Sequence, residues 1–178
     1  MDILKALKQD HREVVAMFKK IKATKSLVAR KKLFSEMAEA LLSHAKAEEK
    51  LVYEPILRQI DDRAEVLEAY EEHHVAEILL AELNETSASE EQWLAKFQVL
   101  TENVKHHIEE EESDLFNEAK DVFPDKKIRE RVGAQFEALK ETLKSQSGKE
   151  GLVSAIPVPQ TPMPKKGKKV SMDSHPAR

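Results

Sequence analysis

Two short runs, His44 to Glu48 in HAKAEE and His107 to Glu111 in HIEEEE, each set an imidazole and a carboxylate four residues apart. Four residues is about one turn of an α-helix, so each pair projects from a single helical face. That face is apolar upstream. Trp93, Phe97, Leu100 and Val104 step by four and three toward His107, and Phe34, Met37 and Leu41 step the same way toward His44. Continuing the alternation aims both His-x-x-x-Glu pairs into a core, where such groups are costly unless something pairs with them. A metal ion is the obvious partner.

Two further seams carry a histidine among apolar positions. Leu4, Leu7, His11, Val14, Phe18 and Ile21 form one; Val66, Tyr70, His73, Glu77 and Leu80 form the other. An internal repeat relates the four stretches. DHREVV around His11 and EHHVAE around His73 are offset by 62 residues, and HAKAEE and HIEEEE by 63. Each half therefore supplies a seam histidine followed by a His-x-x-x-Glu helix, two hairpins facing each other across a pseudo-twofold, a common way to build a two-metal centre. The candidate ligands are His11, His44, Glu48, His73, Glu77, His107 and Glu111.

The doublets are separated by phase. His106 and Glu110 lie one position, about 100°, off the seam of His107 and Glu111, and His74 lies off that of His73 in the same way. Glu49, Glu109, Glu110 and Glu112 then read most simply as a solvated face. Tyr70, one turn before His73, is within reach of a ligand or a bound oxygen species, although a lone aromatic on a seam is more simply core. Imidazole with carboxylate suits iron, manganese or zinc, and carboxylates able to bridge suit two ions more than one.

Four long helices must position these groups. The first should run from about Asp2 to Lys22; Ser26 is placed to cap the second, which continues through Leu51 toward Ile60 with a kink or break at Pro55. Asp62 and Glu65 resemble a capping box for the third, and Ser89 with Gln92 opens the fourth, which runs to about Lys120. After a break at Phe123 and Pro124, with Asp125 as a cap, a shorter fifth helix covers about 125–144. Short connections make sequential helices antiparallel neighbours. The expected fold is all-α: an up-down-up-down four-helix bundle over 1–145, its core in 1–120, with a short fifth helix and a Pro- and Lys-rich disordered tail over 146–178.

Composition agrees. Of 178 residues, 35% are charged, 5% are aromatic and four are glycine, which suits helices better than sheets. The absence of cysteine excludes disulfides, thiolate zinc sites and cysteine nucleophiles. No stretch has the apolar length of a signal peptide or a membrane span, so a cytoplasmic protein is expected. From Gly148 on there are six Lys/Arg against two Asp/Glu, a tail charge of +4 that leaves −8 for the rest of a chain whose net charge is −4. An acidic body is a poor nucleic-acid surface, and only the basic tail could act as one.

The pattern of DH in the first helix, HAKAEE with LVYEP in the second, EEHH with ILLAEL in the third and HIEEEESDLF in the fourth resembles the hemerythrin-like, or HHE cation-binding, domains. The resemblance covers roughly residues 1–120. It implies a bridged non-haem di-iron centre, with His11, His44, His73 and His107 as terminal ligands and Glu48 and Glu111 bridging. Oxygen-carrying hemerythrins have a second histidine on the third helix where this chain has Glu77, and an aspartate five residues after the fourth-helix histidine where this chain has glutamate after four. The resemblance thus implies a di-iron protein sensing or handling O2, NO, peroxide or iron rather than a reversible oxygen store. A di-iron oxidase, peroxidase or nitrosative-damage repair enzyme is the alternative, and the last reading is an interaction module without metal.

Overall fold

The structure, a computed structural model, describes residues 1–150, and the side chains of residues 1–146. Every described element is helical: α1 (Ile3–Ala23), α2 (Leu27–Glu48), a π-helical turn (Glu49–Tyr53), α3 (Glu54–Leu57), α4 (Ala64–Glu85), α5 (Glu91–Glu110), a second π-helical turn (Glu111–Leu115), α6 (Phe116–Val122) and α7 (Lys126–Glu150). Asp2 caps α1, its Oδ1 accepting from the Leu4 amide at 3.0 Å, and Ser26 caps α2 by accepting from Ala29 at 3.3 Å. Asp125 accepts from the Lys127 amide at 2.7 Å, as expected. Asp62 accepts from the Ala64 amide at 3.2 Å, but from one position before the N-cap of α4, Arg63, which has no side-chain cap, so the expected capping box with Glu65 is not the one formed. Ser89 is not the cap of α5. Its hydroxyl meets Ser87 instead, and Glu90 precedes the helix without a side-chain cap.

Two apolar clusters fill the interior. The first gathers Ile3 and Leu7 of α1, Tyr53 and Ile56 beyond α2, Val66 of α4, and Leu115, Phe116 and Phe136. The second gathers Phe18, Phe34, Leu80, Trp93 and Phe97, with Trp93 and Phe97 stacked at 5.0 Å and Phe34 set edge-on to Trp93 at 5.6 Å. Along α1 and α4 the chain passes from the first cluster to the second, and along α2 and α5 from the second to the first. Each of the four crosses a polar layer on the way, at His11, His44, His73 and His107.

Two features depart from expectation. Both His-x-x-x-Glu helices pass into a π-helical turn immediately after the glutamate, at Glu49–Tyr53 and Glu111–Leu115. One extra residue is absorbed there, so the buried positions beyond Glu48 are Val52, Tyr53 and Ile56 rather than Leu51, and those beyond Glu111 are Leu115, Phe116 and Ala119. The regular α-helix gives way to the π-helical turn before Pro55, which sits within the first turn of α3, where a missing amide donor is tolerated. The fifth helix is neither short nor peripheral. It extends to Glu150, past the expected end near Lys144, so residues 146–150 are helix rather than tail; the remainder of the expected tail lies outside the described residues. It packs along α1 and α2, burying Val132 and Phe136 in the first cluster.

Candidate metal centre

The polar layer is built from six buried side chains: His11, His44, Glu48, His73, His107 and Glu111, each at most 7% exposed. Each imidazole is anchored at Nδ1 by a carboxylate from another helix. His11 donates to Glu112 at 2.9 Å, His44 to Asp10 at 2.9 Å, His73 to Glu49 at 3.1 Å and His107 to Glu72 at 2.8 Å. In a neutral ring a proton on Nδ1 leaves Nε2 as a lone pair, and the four Nε2 atoms turn inward. His44, which its neighbouring carboxylates hold protonated, offers its lone pair only after giving up its second proton. That of His11 lies 3.1 Å from Glu111 Oε2, that of His44 lies 3.4 Å from Glu48 Oε2, and those of His73 and His107 lie 3.1 Å from each other. Glu48 Oε2 is 3.7 Å from His73 Nε2, and Glu111 Oε2 is 3.8 Å from His107 Nε2.

The anchors follow the internal repeat. Asp10 and Glu72 each precede a layer histidine, and Glu49 and Glu112 each follow a layer glutamate. Sequence reasoning assigned Glu49 and Glu112 to a solvated face; the structure turns them onto His73 and His11. Asp10 and Glu72 were not singled out. The acid before each histidine, in DH and EH, was the available signal, but nothing in one helix says that its acid faces a histidine on another. Burial opposes ionisation of Asp10, Glu49 and Glu112, yet hydrogen bonds to the imidazoles and nearby lysines hold all three carboxyls below their usual range.

The inner groups are electrostatically unbalanced. Burial and the adjacent Glu48 charge push the Glu111 carboxyl well above its usual value. Glu48 is held low despite its burial, by the His44 charge and a hydrogen bond from Glu111. The two carboxyls are thus driven apart in acidity, Glu48 down and Glu111 up, as like charges at close range are. Burial and the neighbouring His44 bring His11 down to about 4, whereas for His44 the Glu48 and Asp10 carboxylates outweigh burial and raise it to about 9. His11 Nε2, Glu48 Oε1 and Glu111 Oε2 are buried without a hydrogen-bond partner. Facing Nε2 lone pairs and orphaned carboxylate oxygens are the donor set a cation would satisfy, and Glu48, His73 and His107 bring three donor atoms within 4.8 Å of one another.

Residues 2–119 match the family described as the hemerythrin HHE cation binding domain. The chain belongs to that family. Among curated proteins, a DNA nickase of Nostoc sp. is 24% identical over 148 residues, which are 83% of this chain and 42% of that protein. The chain therefore spans less than half the length of this relative. No solved structure matches it significantly.

The hemerythrin-like layer brings together six of the seven candidate ligands. Glu77 does not face an imidazole; it is ion-paired with Lys46, which also bonds Glu49. Tyr70 packs against the first cluster, as the simpler reading of it expected, and a tyrosine not singled out reaches the layer. Tyr70 donates to the backbone carbonyl of Glu49 at 3.2 Å, while Tyr53, fully buried, donates to Glu48 Oε2 at 3.3 Å and stacks on His73 at 5.5 Å. The π-turn places Tyr53 over Glu48, because in a regular α-helix a residue five positions on points about 140° away. Its counterpart in the repeat, Phe116, stacks on His11 at 6.5 Å but offers Glu111 no hydroxyl. The pseudo-twofold is thus broken at the carboxylates. From α7, Phe136 sets its edge on His44 at 5.5 Å, and Lys140 bonds Asp10 at 2.5 Å. A cavity of about 260 Å³ opens on the four imidazoles and is walled on one side by Val14, Leu80 and Val104.

Proposed function

We propose that this hemerythrin-like chain is a non-haem di-iron protein that senses or handles a small ligand such as O2, NO or peroxide. His11, His44, His73 and His107 would hold the irons through Nε2, and Glu48 and Glu111 through their carboxylates. The observation that carries the reading is the inward turn of four Nε2 atoms, each fixed from behind by a carboxylate, onto two buried glutamates with unpartnered oxygens. The bundle is read as up-down-up-down, supported by the alternating order in which α1, α2, α4 and α5 traverse the two apolar clusters.

Iron is preferred over manganese or zinc, which accept the same donors, because the family resemblance implies it. When bound, iron supplies redox chemistry and a coordination position for the small ligand. The chain's own residues do the rest. The Nδ1 bonds fix each ring plane and aim each Nε2 at the layer. The Tyr53 hydroxyl holds one oxygen of Glu48, and Lys46 neutralises Glu77 at the cavity wall, so that Glu77 contributes no further anionic ligand. The apolar wall admits a small neutral molecule while offering bulk water few partners. No described helix is long and apolar enough to cross a membrane. The activity of the Nostoc relative is not carried over, because the −8 charge of the residues before Gly148 opposes a phosphate backbone.

Anaerobic reconstitution with ferrous iron followed by elemental analysis should return about two irons per chain, as a paired-ligand bundle core provides. His44→Ala and His107→Ala should each lower that content, and Glu77→Gln should not. A content at or below one iron, unchanged in the two histidine variants, overturns the reading.

A further inference from the structure

We propose that an acidic pocket between α4 and the π-turn beyond α5 is the route by which a hydrated divalent cation reaches the buried layer, with Glu72, His106 and Glu110 as its outer station. The inference rests on the metal-centre reading above. The pocket has a volume of about 220 Å³, and Glu65, Glu68, Glu72, Glu110 and Asp114 stand on its walls. His107 and Glu111 form its inner end. Glu111 is 1% exposed, and its Oε2 has no hydrogen-bond partner although His11 Nε2 lies 3.1 Å away, so the pocket ends on a buried carboxyl group of the layer.

The outer station is already assembled. One donor atom each from Glu72, His106 and Glu110 lies within 4.8 Å of the others, with His106 Nε2 at 3.2 Å from Glu110 Oε1 and 3.9 Å from Glu72 Oε1. Glu72 joins outside to inside: Oε1 faces His106, and Oε2 accepts from His107 Nδ1 at 2.8 Å. Among the described residues, no lysine or arginine pairs with Glu65, Glu68, Glu110 or Asp114, so the pocket keeps its negative potential. Glu118 registers that potential. Partial burial and the charges of Glu65, Asp62, Asp114 and Asp121 hold its carboxyl above the usual range.

Physical chemistry separates this opening from the cavity on the imidazoles. A hydrated dication is drawn to a focused negative field and exchanges its water for carboxylate oxygens in steps. The cavity on the imidazoles carries donors too, but Lys140 and Lys144 stand among its lining residues and oppose a dication, whereas a neutral diatomic meets no such barrier there. Ions enter by the acidic pocket, and the small ligand enters by the cavity.

The test is the rate at which anaerobic ferrous ion loads the metal-free full-length chain, followed by stopped-flow absorbance, with final content read by elemental analysis. Glu65→Gln/Glu68→Gln/Asp114→Asn and His106→Asn/Glu110→Gln should each load about tenfold more slowly than the parent and reach the same final content, the size expected when focusing charge is removed. A control, Glu36→Gln/Glu85→Gln/Glu91→Gln, removes as many charges elsewhere and should load at the parental rate. If either pocket variant loads as fast as the control, the route is wrong even though the centre stands. If the parent itself takes up no stoichiometric iron, the centre reading fails and the route fails with it.

Discussion

Four carboxylates decide what the imidazoles can do. An imidazole whose Nδ1 proton is held by Asp10, Glu49, Glu72 or Glu112 has its plane fixed and its Nε2 lone pair pointed at the layer, so ligand geometry is set before any ion arrives. Replacing Glu112 by alanine should lower metal affinity by about 10–100-fold, the usual cost of losing such a support, while leaving stoichiometry at saturation unchanged. Chelator competition measures it, and an unaltered affinity would show that His11 needs no orienting partner. Tyr53→Phe tests the broken symmetry. It removes the hydroxyl from Glu48 and makes the position match Phe116, so the metal-free protein should lose about 1–3 kcal/mol by denaturant titration, the worth of a hydrogen bond to a charged acceptor. The buried histidines and glutamates of the layer were legible in the sequence because the His-x-x-x-Glu spacing and the apolar seams are properties of single helices. Glu77 shared that spacing and pairs with Lys46 instead, a contact between helices that helical phase does not encode.

At the scale of elements, the two π-turns and α7 build the surroundings of the layer. Each turn takes up one residue after its glutamate and delivers Tyr53 and Phe116 to face His73 and His11. Helix α7 closes the first cluster with Phe136 and reaches the layer through Lys140, whose ammonium bonds Asp10 and so supports His44 at one remove. Its fit against the start of the chain is close. A Cβ at Gly133 would collide with the Met1 carbonyl oxygen and lie 3.0 Å from the Ile3 amide nitrogen, both backbone atoms that move only with α1. Gly133→Ala should therefore destabilise the protein by about 1–3 kcal/mol in thermal or denaturant melts, although alanine is the better helix former. A stabilised variant would mean that α7 packs less tightly on the N-terminus than the structure has it.

For the whole molecule, the consequence is a core divided in two by an ionisable layer. Apolar clusters above and below supply the driving force for burial, and the layer supplies unpaired donors that a cation would satisfy. Metal binds the native state alone, so its removal should lower the thermal midpoint of the parent. A Glu48→Gln/Glu111→Gln variant, with two neutral side chains of the same shape, should melt at a midpoint that chelation leaves unchanged. Truncation after Glu150 should alter neither midpoint nor metal uptake, whereas truncation after Asp125 removes Phe136 and Lys140 and should abolish cooperative unfolding, readable by calorimetry. A cooperative melt in the shorter chain would return the core to residues 1–120, as the sequence suggested.

The sequence by itself determined what repeats along one chain: the helical seams, the histidine in each, the glutamates four residues beyond two of them, and the offset that makes two matching halves. Those are consequences of about 3.6 residues per turn and of the cost of burying polar groups, and they act within a helix. Tertiary structure decided which acids stand behind the imidazoles, that Tyr53 rather than Tyr70 reaches a layer glutamate, that Glu77 pairs with Lys46, and that α7 belongs to the core. Each of these joins residues far apart in the chain or depends on a π-turn that shifts helical phase by one residue. The relative placement of two helices depends on every side chain packed between them, so it emerges only when all of them are packed at once.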